Sequence, residues 1–169
     1  MSTDIMKIMN DIEYGYFDSK NQIHFGVDKD FSNLYRLQSP KEVIEHKVGV
    51  CWDQVELERF LFKKENIEFK TYFIVHYDDD KCPTHTFLIY KENNKFFWFE
   101  HSWEINRGIK SYDTELEALK DIKKRFIKDE LDNNYNPMNL CIYEYSEPEY
   151  GINVLEFYKH CENGKNIII

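Results

Sequence analysis

The sequence predicts an α+β domain in which a central helix, opening on a cysteine, packs on an antiparallel β-sheet. Helical patterns come first and strand patterns follow, with one late helix, an order that favours α+β over repeated βαβ units. Four segments rich in aromatic and β-branched residues are joined by short turn-forming stretches, as sequential neighbours in an antiparallel sheet are. The stretch after Gly49 is apolar around most of its circumference, the pattern of a helix that runs through a domain rather than along its surface. With 169 residues, 42% of them hydrophobic and 17% aromatic, the chain can bury one good core without covalent staples. No repeat, low-complexity tract or linker divides it, so a single domain over residues 1–169 is expected.

Residues 5–13 carry Ile5, Ile8, Met9 and Ile12 at helical spacing behind Asp4, an N-cap residue, and predict a short amphipathic packing helix. Asp18 to Gly26 is rich in turn-formers. The segment from Asp11 to Phe31 carries no interpretable motif. Ser39-Pro40-Lys41-Glu42 matches a capping box with proline at the first helical position, and Gly49 is read as the break that ends that helix. The next helix is predicted over Cys51 to Lys64, with Glu56, Arg59 and Lys63 as its only polar wedge. Strands are predicted over Phe69 to Tyr77, Thr84 to Tyr90, Lys95 to His101 and Asn139 to Tyr145. Thr114 and Glu117 form another capping box, ahead of a helix carrying Leu116, Leu119, Ile122, Phe126 and Ile127. Asn133 to Pro137 reads as loop, and the aromatic stretch Tyr143 to Tyr158 as ordinary packing.

The formal net charge of −9 repels phosphate backbones and anionic lipid, and Lys120 to Lys128 is the one basic stretch, so neither nucleic acid nor membrane is an expected partner. Nothing in the sequence marks a secretory leader or a membrane span, and a cytoplasmic location is expected. The four cysteines, Cys51, Cys82, Cys141 and Cys161, are widely scattered and are expected as free thiols.

Chemistry concentrates at three places. Gly49-Val50-Cys51-Trp52-Asp53-Gln54 sets a cysteine at a helix N-terminus, where the amides favour a thiolate. Thr84-His85-Thr86 opens one strand and Phe99-Glu100-His101 closes the next, which supplies a base and a carboxylate to orient it. A loop over residues 91–94 or 92–93 puts Glu100 directly opposite His85; a two-residue loop at Asn93-Asn94 puts it diagonally across on the same face. Either register prefers Glu100 over His101 as the orienting residue.

This pattern resembles the transglutaminase-like superfamily, whose papain-like core carries a cysteine at a central helix start, a histidine on a strand and an aspartate on the adjacent strand. The resemblance covers about residues 38–104 and departs at Glu100, one methylene longer than aspartate. It implies a cysteine-dependent acyl hydrolase or acyltransferase of peptidase, amidase or deamidase type, acting on a protein or peptide and needing no metal or cofactor. Cys51 attacks the carbonyl, His85 relays the proton and Glu100 holds the imidazole tautomer. The backbone N–H of Cys51 and one more donor meet the oxyanion, with Gln38 and Tyr35 as candidates and Gln54 as a weaker one. Trp52 and Trp103 are candidates to line the acyl site. The rival enzyme chemistry is metal binding by Cys82 and His85 with His76 and His101, which lacks the second ligand pair of a structural zinc site. Asp78-Asp79-Asp80 lacks the glycine and glutamate of a calcium loop. The alternative function is a binding module that keeps the fold with an idle site.

Overall fold

A computed structural model describes residues 1–169. α1 (Ser2–Met9) leads to a small hairpin of β1 (Gly15–Phe17) and β2 (Ile23–Phe25), then to the single turn α2 (Phe31–Leu34), to α3 (Pro40–His46) and to the central α4 (Cys51–Lys64). β3 (Glu68–His76), β4 (Thr84–Glu92), β5 (Lys95–Glu100) and β6 (Gly108–Tyr112) follow as a meander, and α5 (Glu115–Glu130) returns across it. β7 (Leu140–Tyr145), α6 (Val154–Glu162) and β8 (Lys165–Asn166) close the chain. The sheet runs β6-β5-β4-β3-β7-β8 with every pairing antiparallel. The α+β architecture with a cysteine-led helix on an antiparallel sheet is therefore the observed one.

α4 lies on one face of the sheet and α5 on the other. Val55 packs toward Phe73 and Val75, while Leu57, Leu61 and Phe62 meet Leu88, Tyr90 and Phe99. On the opposite face, Ala118, Leu119, Ile122 and Phe126 of α5 cover Tyr72, Ile74, Phe87, Ile89 and Trp98. Each fully buried side chain of this size contributes about 1.5–3 kcal/mol. These two apolar layers are what hold α4 at a fixed height above the sheet.

Local signals explain the approach to α4. The Ser39 capping box forms, with the Ser39 hydroxyl accepting from the Glu42 N–H and the Glu42 carboxylate accepting from the Ser39 N–H. α3 ends at Lys47, whose φ of 54° is left-handed, so the break assigned to Gly49 falls two residues earlier. Gly49 has a different reason: a Cβ there would stand 2.9 Å from the Asp53 Cβ, closer than real contacts allow. Two of the three wedge residues of α4, Glu56 and Arg59, are buried, while Lys63 is exposed. Arg59 Nε donates to Glu56 Oε2 at 2.7 Å and its Nη2 to Thr71 Oγ1 at 2.5 Å, and the tyrosine hydroxyl of Tyr145 joins Glu56 at 3.3 Å. All four residues are buried under β7.

Six elements escaped the sequence pattern: β1, β2, α2, β6, α6 and β8. β1 and β2 are too short to show alternation, β6 is a half-buried edge strand, and α6 is embedded in aromatic residues that also suit a strand. α1 begins at Ser2, which places Asp4 within its first turn rather than at its cap. No helix is long and apolar enough to cross a membrane.

Candidate active site

The first turn of α4 is anchored by a buried carboxylate. Asp53 accepts hydrogen bonds from the Val50 N–H at 3.0 Å, the Gln38 N–H at 2.9 Å and the Tyr35 hydroxyl at 2.9 Å. Burial pushes Asp53 up to about 7, and these bonds pull against that rise. Gln38 Nε2 donates to the Val48 carbonyl at 2.9 Å and its Oε1 bonds His46 Nδ1 at 2.7 Å. Gln54 Nε2 donates to the Gly49 carbonyl at 2.7 Å. The donors of Tyr35, Gln38 and Gln54 are thus engaged in shaping the turn that presents Cys51. That corrects the expectation that Gln38 or Tyr35 faces an oxyanion.

His85 and Glu100 come together at the end of the sheet. The β4–β5 ladder pairs Leu88 with Phe99 and Glu92 with Lys95, and Asn93 and Asn94 take the left-handed φ values of 50° and 61° that a tight two-residue hairpin turn needs. Glu100 therefore stands diagonal to His85, and its Oε2 bonds His85 Nε2 at 2.7 Å. The other oxygen, Oε1, accepts from the Trp103 N–H at 2.8 Å and the Ser102 hydroxyl at 3.1 Å. With Nε2 taken by Glu100, Nδ1 is the ring nitrogen left free to meet the Cys51 thiol. Burial by itself would lower the His85 pKa, but the Glu100 charge and the Cys51 contact outweigh it and raise it to about 10.

A residue that the sequence did not flag completes the site. Tyr14 stands close to Cys51, and burial together with the Cys51 and Asp53 charges raises the pKa of its hydroxyl. Main-chain bonds put it there. Glu13 N–H donates to the Lys47 carbonyl at 2.9 Å and the Gly49 N–H donates to the Glu13 carbonyl at 3.0 Å, a parallel bridge that lays residues 13–15 beside the turn before Cys51. Gly15 allows this approach, since a Cβ there would sit 2.8 Å from the Val48 Cγ2. The only sequence signal was that glycine.

Tyr14 and His85 open onto a cleft of about 250 Å³ that is also lined by Thr84, Ser102, Trp103 and Glu104. The Trp103 ring stands edge-on to the His85 imidazole at 5.0 Å between centroids. Trp52 is elsewhere: it is buried and stacks on Phe157 at 4.4 Å, so it is core and not cleft lining.

The remaining thiols and histidines are dispersed. All four cysteines are free. His76 Nε2 faces the Asn136 carbonyl at 3.2 Å, His101 Nδ1 bonds Gln54 Oε1 at 2.6 Å, and Cys82 lies exposed beside the Tyr158 hydroxyl. No group of three or more His, Cys, Asp and Glu residues is arranged to hold a metal ion. The Asp80 N–H donates to the Asp78 carboxylate at 3.0 Å, which makes that acidic run a local turn.

Comparison with known families gives one match: a family model described as a transglutaminase-like domain covers residues 2–127. No curated protein matches the chain. The matched stretch spans Tyr14, Cys51, His85 and Glu100 together.

Proposed function

Because the chain belongs to the transglutaminase-like domain family, we propose that it is a cysteine-dependent acyl hydrolase or acyltransferase in which Cys51, His85 and Glu100 act as a triad. One observation carries the reading: His85 is held by Glu100 at 2.7 Å through Nε2, and the Glu100 charge and the neighbouring Cys51 together raise its pKa. Cys51 sulfur attacks an amide or ester carbonyl, and the imidazolium of His85 protonates the departing amine or alcohol to leave a thioester. His85 then removes a proton from the incoming acceptor, which attacks the thioester and frees Cys51. Glu100 holds the ring orientation and the imidazolium charge in both halves.

The oxyanion is met by the Cys51 backbone N–H at the helix start. Tyr14 takes the second donor place, because its side chain lines the same cleft as His85 and its hydroxyl feels the Cys51 charge. Trp103 lines the acyl side of the cleft. A protein or peptide is the proposed substrate and water the default acceptor, in a cytoplasmic protein folded as one domain over residues 1–169. No metal or cofactor takes part in these steps.

A second reading has its own support. Cys51 is only 5% exposed and Tyr14 stands against it, the arrangement expected of a binding module with a shielded site. Iodoacetamide labelling at neutral pH, mapped by peptide mass, separates the two. The enzyme reading expects Cys51 to label faster than the exposed Cys82 and to lose that advantage in His85→Ala. Equal, slow labelling of Cys51 in both proteins overturns it.

A further inference from the structure

Four polar atoms buried on the α4 side of the sheet have no protein partner: Trp52 Nε1, beside Phe73 and Phe157, and Glu58 Oε2, Thr86 Oγ1 and His101 Nε2. Topology gathers the last three. Thr86 pairs with Phe73, which faces α4, and the β4–β5 register carried two residues beyond Leu88 and Phe99 sets Thr86 opposite His101. On α4, Gln54, Glu58 and Phe62 form one stripe, a turn apart. Gln54 bonds His101 at 2.6 Å and Phe62 packs on Tyr90 and Phe99. Glu58 therefore lies between them, over the Thr86–His101 end of the two strands.

The hydrogen positions follow from the bonding. Gln54 gives its amide N–H to the Gly49 carbonyl, so its Oε1 is the atom turned to His101 and His101 Nδ1 must donate. Burial, and then the Arg107 charge, pushes His101 down to about 4, while burial and the Glu100 charge push Glu58 well above the carboxylate range. His101 is thus neutral with a lone pair on Nε2, and Glu58 is a neutral acid.

We propose that His101 is a positioning residue of the thiol site: held by Gln54, it braces the turn carrying Cys51 against the strand carrying Glu100. The brace runs from the Gly49 carbonyl through Gln54 to His101. Gly49 is two residues before Cys51, and His101 is the residue after Glu100. Its effect on reactivity rests on the function proposed above; its hydrogen-bond pattern does not.

Two readouts on the full chain test it. Long-range ¹H–¹⁵N spectra of the imidazoles, assigned with His101→Asn, are expected to show His101 as the neutral Nδ1–H tautomer at pH 7 and unchanged in Glu58→Gln, which mimics the neutral acid. Cys51 alkylation in His101→Ala is expected to slow by about 10-fold against the wild type, since small misplacements of reacting groups carry costs of this size or more. His101→Asn, whose amide N–H stands where Nδ1 did, is expected to stay within about threefold of the wild type. An imidazolium or Nε2–H signal for His101 overturns the proposal, as does wild-type labelling in folded His101→Ala. If His101→Ala does not fold, the spectra with His101→Asn and Glu58→Gln decide. A wild-type Cys51 that labels no faster than Cys82 strikes the proposed function instead, and the tautomer still reads out the brace separately.

Discussion

Glu100 reaches His85 diagonally across the β4–β5 ladder, Oε2 to Nε2 at 2.7 Å, while its other oxygen is fixed by the Ser102 hydroxyl and the Trp103 N–H. The carboxylate is thereby oriented from both ends. The longer side chain of glutamate suits the diagonal span, which exceeds the separation of directly opposed residues.

Removing the Glu100 charge should release His85. In Glu100→Gln, the His85 midpoint followed by NMR titration is expected to fall from about 10 toward its ordinary 6.5. Alkylation of Cys51 at neutral pH should drop on the order of 10²-fold, the low end of what a positioned acid–base pair contributes. An unchanged His85 midpoint would show that the ion pair is not what holds the proton.

The same shift predicts how stability depends on pH. His85 has a folded value near 10 against an ordinary 6.5, so folding stabilises its protonated form. That contribution is complete below about pH 6.5 and is lost as pH rises through 10. Glu58 adds the same sign, because folding favours its neutral form and the advantage fades as pH climbs above the ordinary carboxylate value. Calorimetry from pH 6 to 10 should therefore show a falling Tm, with a shallower fall in Glu100→Gln. A flat or rising Tm in the wild type contradicts both assignments.

Tyr14→Phe deletes the hydroxyl beside Cys51 and leaves the half-exposed ring in place. Turnover of an activated ester is expected to fall on the order of 10²-fold, as when one oxyanion donor is lost, with little change in Tm. Faster turnover in the variant would instead mark Tyr14 as a shield.

Asp53 is a stability residue. Asp53→Ala leaves the Tyr35 hydroxyl and the Gln38 and Val50 N–H groups without their acceptor, at about 1–3 kcal/mol each. The expected loss of several kcal/mol should appear as a large drop in urea midpoint, with Asp53→Asn distinctly milder because its oxygen still accepts. Equal behaviour of the two variants would mean that the hydrogen bonds are not the cause.

Trp52 separates core from cleft. Trp52→Ala should lose about 3–5 kcal/mol by removing the stack on Phe157, whereas Trp52→Phe should keep most of the stability and the wild-type rate of Cys51 labelling. A Trp52→Phe protein that is stable yet slow would return the ring to the acyl site.

Cys51, His85 and Glu100 were legible as neighbours because each sits on a strongly patterned element: Cys51 at the head of an apolar helix, His85 and Glu100 on two strands joined by a turn that Asn93 and Asn94 specify. Gly49 was legible as a special position but for the wrong reason, since its close packing on Asp53 is a contact between turns that no local pattern encodes. Tyr14 was invisible because it reaches Cys51 through the pairing of Glu13 with Lys47 and Gly49, which are more than 30 residues away in the chain. Gln38 and Tyr35 were found as neighbours of the site, but which way their donors turn depends on Asp53, a buried acceptor that sequence alone does not orient. Glu56 and Arg59 read only as part of a polar wedge because the strand that covers them, β7, comes about 80 residues later.

That covering has a practical consequence for shortening the chain. Tyr145 of β7 and Phe157 and Cys161 of α6 share one apolar cluster with Cys51, Val55 and Phe73, although the family match stops at residue 127. Cutting there would strip one flank of β3 and expose the Glu56–Arg59 pair to water. A fragment bounded by the family match would lose the wall that supports its own cysteine helix, so the sequence-recognisable unit is smaller than the unit that can stand as a folded protein.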